Sequence, residues 1–145
     1  MSDDSHRFVT LDRLDEGVYV ARNARGVELR FGSKDPEGFT PVELLLAAIA
    51  GCSAVDVDVV TGRRSPADHF GARVDATYVR DDDGNRLTDV TLTFSVTFPD
   101  GPDGDAARQI LPRAVRTSHD RTCTVSRTLE AGTPVTVRVE GLDRV

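Results

Sequence analysis

The segment Pro-Val-Glu-Leu-Leu-Leu-Ala-Ala-Ile-Ala-Gly-Cys-Ser-Ala-Val-Asp-Val-Asp-Val-Val, residues 41–60, constrains this chain more than any other. Thr40 offers an N-cap and Pro41 a first-turn proline, so a helix is expected to start there. Apolar residues then fall on nearly every side, which marks a helix buried in a core and not an amphipathic surface helix. The β-branched Val55, Val57, Val59 and Val60 weaken the helical preference of the last turns. The longest uninterrupted apolar stretch, Leu44 to Cys52, falls short of the roughly 20 residues that cross a bilayer, so no transmembrane segment is expected. An all-apolar helix needs more cover than one small sheet provides, and a second subunit is a natural source of it.

The flanking sequence reads as strands. Phe8 to Leu14, Val18 to Asn23 and Val27 to Phe31 are short, alternating and punctuated by Glu16-Gly17 and Arg25-Gly26, which predicts a β-meander. After the helix, Ala72 to Arg80 and Leu87 to Phe98 alternate around Asp81-Asp-Asp-Gly-Asn85, an acidic cluster read as a solvated hairpin tip. Asp105 to Thr117 carries a helical pattern with a kink predicted at Pro112. A short helix is expected to contain Cys123 to Leu129, with Ala131-Gly132 as its stop, and Thr133 to Glu140 alternates as a last strand. The fold class expected is therefore α+β: a β-meander, a long buried central helix, two strands, two helices and a strand, in one domain over residues 1–145. Gly62 to Pro66 is the single candidate for a subdivision.

Composition narrows the function. At 145 residues and 39% hydrophobic content, the chain is long enough to bury a sizeable core without staples. A net charge of −6 and a pI near 5.0 disfavour nucleic acid and anionic lipid as partners. The acidic N-terminus, Met-Ser-Asp-Asp-Ser-His, followed by no apolar stretch, points to a cytoplasmic protein. In that compartment thiols are kept reduced, so the two cysteines, Cys52 and Cys123, are more naturally catalytic, sensing or buried than bridged for stability. They lie too far apart in sequence to form a local redox hairpin, and the fold must assemble any chemistry between them. Cys52, inside the apolar run, is expected to be buried; Cys123, near a helix start with Arg121 and Arg127 close by, is expected beside cations.

Two stretches carry a resemblance to a known family. Thr40-Pro-Val-Glu-Leu-Leu-Leu-Ala-Ala-Ile-Ala-Gly-Cys-Ser-Ala-Val-Asp-Val57 and Cys123-Thr-Val-Ser126, followed by Leu129, Gly132 and Pro134-Val, resemble the OsmC/Ohr family of hydroperoxide-reducing stress proteins. The order of strands and helices is similar too, and nearly the whole chain is covered. The resemblance implies an intertwined α+β homodimer with two sites at its interface and apolar walls suited to organic hydroperoxides. It implies that Cys52 is the peroxidatic thiolate, which becomes a sulfenic acid, and that Cys123 resolves it as a disulfide reduced by a cellular dithiol. No cofactor and no metal are implied.

The same resemblance places an arginine from an early strand or loop, and a glutamate from the start of the cysteine helix, in the site. Arg25 in Asn-Ala-Arg-Gly fits the first role, with Arg22 as the alternative. Burial by itself disfavours a thiolate, so a peroxidatic Cys52 needs such a cation. Glu43 fits the second role with a displacement: the better-studied groups place the acid directly after the proline, where Val42 stands. Nine residues of helix advance about 900°, which points Glu43 away from Cys52. A first-turn acid favoured by the helix dipole is the other reading of Glu43. Asp56 lies four residues after Cys52 on the same face, where a carboxylate disfavours a thiolate, so it is expected to bind an arginine or a backbone group. Asp58 is expected near solvent.

Plainer readings stand beside these. Cys52 alone is also a small core hydrophobe, and Cys123 a thiol without a partner. His119 and Cys52 lack the spacing of a zinc site. Three functions follow: a cofactor-free thiol peroxidase acting on organic hydroperoxides and hydrogen peroxide, a redox-sensitive dimer that holds a small molecule, and a thioesterase of hot-dog type using Glu43 or Asp56 as base.

Overall fold

In a computed structural model, residues 5–143 are described. Backbone contacts divide the chain into two compact units, residues 1–47 and 48–145.

The first unit is a three-stranded antiparallel meander, β1 (Val9–Asp15), β2 (Val18–Asn23) and β3 (Glu28–Phe31), in the order β1-β2-β3. Tight turns set the registers, which pair Leu11 with Ala21 and Val20 with Arg30. At the first turn Gly17 adopts φ +70, and a Cβ on Gly32 would sit 2.0 Å from the Gly17 carbonyl oxygen. Only glycine lets the two backbones approach so closely. Val18 and Val20 point into the core, and the buried Asp35 carboxylate accepts a hydrogen bond from Arg30 Nε at 2.9 Å.

Helix α1 runs from Pro41 to Gly62. A capping box starts it: Glu43 N–H donates to Thr40 Oγ1 at 3.2 Å, and Thr40 N–H donates to Glu43 Oε1 at 3.0 Å. The N–H groups of Arg64 and Ser65 close its far end on the Thr61 carbonyl. The expectation of a helix buried all round is corrected here. Ile49, Ser53, Val57 and Thr61 form one buried face, whereas Val55 is 64% and Val59 53% exposed. One chain supplies cover for one side only. With 22 residues and an 18-residue window of mean hydropathy 1.9, α1 also has the length and apolarity of a membrane-crossing helix, which its uninterrupted apolar run did not suggest. Its exposed Asp58 and the polar partners of Asp56 within it read instead as features of a packing helix.

The second unit continues with a two-stranded antiparallel ribbon, β4 (His69–Asp81) and β5 (Gly84–Thr97), in which Phe70 and Phe94 meet edge to face at 6.0 Å. The acidic cluster is the exposed hairpin tip, as expected, and the strands extend to a two-residue turn at Asp82-Asp83. Helix α2 (Pro102–Thr117) starts three residues before the expected position because Pro102 takes a first-turn place, and it continues past Pro112. It passes into a π-helical turn, Ser118–Thr122, and then into α3 (Thr124–Glu130). Cys123 lies just outside α3, as its N-cap residue. The expected last strand does not form: Val135, Val137 and Val139 keep their alternation but are 87%, 65% and 45% exposed, with no ladder partner among the described residues. A strand needs a neighbouring edge for its N–H and C=O groups, and none pairs with this segment among the described residues.

Candidate thiol site

The second unit brings the surroundings of both cysteines together. Both thiols are free. The expected burial of Cys52 is corrected: it is half-buried, and Cys123 is the thiol that is wholly buried. On α1, Cys52 is about 100° from Ser53, at the edge of the buried face. Cys123 turns inward at the junction between the π-helical turn and α3, and its thiol donates to Ser126 Oγ at 3.4 Å. The neighbouring cations point elsewhere, since Arg121 and Arg127 are exposed and Arg127 donates to the Asp120 carbonyl.

Hydroxyl groups tie α1 to the segment before Cys123. Asp56 Oδ2 accepts hydrogen bonds from Ser118 Oγ and Thr122 Oγ1, each at 2.8 Å. Ser118 has one hydroxyl hydrogen and gives it to Asp56, so Ser53 donates to Ser118 across their 3.1 Å contact. Asp56 thus binds two hydroxyls, which corrects the expected arginine or backbone partner. Asp58 is exposed, as expected. Sequence reasoning missed Ser53, Ser118, Thr122 and Ser126. The available signal was the placement of small hydroxyl residues beside both thiols, in Cys52-Ser53 and Thr122-Cys123-Thr124-Val125-Ser126.

A cavity of about 490 Å³ opens beside this network. Ile49, Val90, Leu92, Phe94, Val115 and Leu129 make its walls apolar, and Ser53, Thr91, Ser126, His119 and Glu130 supply polar groups. Its volume suits a small organic molecule. Both His119 nitrogens are engaged, Nδ1 with Asp120 at 2.9 Å and Nε2 with Glu130 at 2.7 Å. The carboxylates of Asp120 and then Glu130 hold the imidazole above its ordinary titration range. With both nitrogens spent on acids, His119 has none left to activate a serine or bind a metal.

The other expected residues lie in the first unit. Arg22 is committed to ion pairs with Asp12 and Glu28, which raise its pKa, the Glu28 hydrogen bond most. Arg25 sits in the β2–β3 turn with its side chain exposed and forms no ion pair among the described residues. The Glu43 carboxylate serves the capping box, and the Thr40 N–H it accepts holds its pKa below the usual range.

The family model described as OsmC-like protein matches residues 32–138, a span that contains both cysteines and the network between them. This chain belongs to the OsmC-like family. The OsmC-like chain is 32% identical to Uncharacterized protein Rv2923c of Mycobacterium tuberculosis over 131 residues, covering 89% of this chain and 93% of that protein. Among solved structures, a hypothetical protein from Aquifex aeolicus matches with a TM-score of 0.70 at 20% identity, covering 88% of this chain and 89% of the other. The organic hydroperoxide resistance protein OhrB of Bacillus subtilis matches at 0.52 and 20% identity, covering 85% and 89%. These likenesses establish the mixed α+β OsmC-like fold expected from the sequence.

Proposed function

We propose that this OsmC-like protein is a cofactor-free thiol peroxidase that reduces small organic hydroperoxides through Cys52 and Cys123. The observation that carries the reading is the apolar cavity: Ser53, next to Cys52, and Ser126, which holds the Cys123 thiol, share its wall. The Cys52 thiolate attacks the O–O bond, the hydroperoxide leaves as an alcohol after taking up a proton, and Cys52 is left as a sulfenic acid. The Cys123 thiol then displaces hydroxide, which leaves as water, and the disulfide forms. A dithiol reductant returns both thiols. The likeness to OhrB, an organic hydroperoxide resistance protein, adds the substrate class by analogy.

Arg25 is the better arginine for Cys52, since Arg22 is held by two carboxylates. Glu43 acts first through its cap, which fixes the start of the helix that carries Cys52. The protein works as a cytoplasmic homodimer, and a family match that runs from the first unit into the second supports its organisation as one domain. Ala48, Cys52, Val55 and Val59 follow a 4-3-4 spacing along α1, the seam by which apolar helices pair. Val135, Val137 and Val139 add an unpaired apolar segment for a second copy to cover.

The ligand-holding dimer is the second reading, favoured by one observation: the cavity wall contains neither thiol. Purified wild type and Cys52→Ser, each given cumene hydroperoxide and dithiothreitol, separate the two. Loss of peroxide consumption by at least a hundredfold in the variant supports the peroxidase; an unchanged rate removes it.

A further inference from the structure

Asp56 has no role in the peroxide chemistry described above, yet it is the point where the helix of Cys52 meets the segment of Cys123. It lies one turn after Cys52, and its Oδ2 takes both Ser118 and Thr122 at 2.8 Å. Thr122 immediately precedes Cys123, and Ser53, which immediately follows Cys52, holds Ser118 from the other side. The sequence neighbours of the two cysteines are therefore joined by three consecutive hydrogen bonds. Between the two donors the backbone leaves α-helical geometry: Ser118–Thr122 is a π-helical turn closed by the Cys123 N–H on the Ser118 carbonyl at 2.7 Å. Such turns inside α-helices frequently occur at functional sites. This one keeps Ser118 and Thr122 on Asp56 and delivers Cys123, wholly buried, at its end. A carboxylate accepts shorter and stronger hydrogen bonds than a neutral acceptor, which suits it to fixing a register.

We propose that Asp56 is a positioning residue: by clasping Ser118 and Thr122 it sets Cys123 for disulfide formation with Cys52, and so governs the resolving step, not the attack on peroxide. This assignment rests on the dithiol reading and deepens it. The carboxylate exchanges no proton or electron with substrate. It raises the effective concentration of one thiol toward the other.

That quantity is measurable without peroxide. In glutathione redox buffers the reduced protein and one oxidised glutathione give the Cys52–Cys123 disulfide and two reduced glutathiones, and the equilibrium constant is the effective concentration of the thiol pair. Wild type, Asp56→Ala, Asp56→Asn and Thr122→Val are compared, with thermal melting recorded in parallel. The expected result is a fall of at least tenfold in Asp56→Ala and at least threefold in Thr122→Val, with partial recovery in Asp56→Asn, whose amide oxygen still accepts. Combining Asp56→Ala with Thr122→Val adds little further, because both break one clasp. Stopped-flow oxidation by cumene hydroperoxide then shows sulfenic acid forming at least as fast as in wild type in Asp56→Ala but persisting long enough for dimedone to trap it. Thr122 is exposed and valine is isosteric, so this variant reports even where Asp56→Ala fails to fold. Equilibrium constants within twofold of wild type, or no Cys52–Cys123 disulfide in the wild type, overturn the proposal. A wild-type protein that forms the disulfide in glutathione yet ignores peroxide overturns the peroxidase reading instead.

Discussion

At the residue scale, the chemistry of this protein rests on single side chains whose environments were only half legible in the sequence. The family motif marks Cys52 and Cys123, but not that Cys123 is the more buried thiol. That outcome comes from a π-helical turn that no local pattern announces. The partners of Asp56 were equally hidden, since Ser118 and Thr122 reach it from more than sixty positions away. His119 gives a test at this scale. Asp120 and Glu130 raise its pKa in the folded protein above the ordinary value of about 6.5. A group raised in this way contributes stability that is fully present below its unfolded value and lost as pH rises through its folded value. The wild-type melting temperature is therefore expected to fall, relative to His119→Gln, as pH rises from below the ordinary value of about 6.5 through the raised folded value. Parallel melting curves for the two proteins across that window contradict the assignment. Because the imidazole is exposed, screening keeps the effect small.

At the scale of elements, local signals were most reliable where backbone chemistry decides. Thr40-Pro41 located the start of α1, and the Asp-rich hairpin tip and β2 stand where the pattern puts them. Errors arose where tertiary context decides. The last strand failed to form because alternation specifies a face and not a partner, and Cys123 fell just outside α3 because the preceding turn ends on it. Glu43 illustrates the competition between readings of one residue, since the capping box accounts for its carboxylate. Glu43→Gln keeps the box, as glutamine serves at that position, whereas Glu43→Ala breaks it. The alanine variant is expected to unfold at lower denaturant concentration than wild type in a denaturant titration. The glutamine variant should lose little stability and keep peroxide consumption within twofold. A tenfold loss of activity in Glu43→Gln, with stability preserved, means that its charge serves the site.

On the scale of the whole molecule, the described residues leave several large apolar side chains exposed, and the proposed homodimer is what would cover them. Val55, Val59, Val90, Val135 and Val137 are each 47% or more exposed, and Val55 and Val59 share one face of α1, the kind of apolar exposure an interface covers. Sedimentation is expected to give twice the 15.7 kDa chain mass. Val55→Glu, which puts a charge on the exposed seam of α1, is expected to shift the protein to monomer and to lower peroxidase activity at least tenfold. A wild-type monomer, or a Val55→Glu dimer of full activity, places the seam outside the interface. The central claim concerns the two thiols, and intact and peptide mass spectrometry tests it most directly. The reduced protein receives one equivalent of cumene hydroperoxide, with hydrogen peroxide in parallel. The predicted result is a rapid loss of two hydrogens, mapped to a Cys52–Cys123 link and faster with the organic peroxide; two free thiols surviving excess peroxide would contradict it.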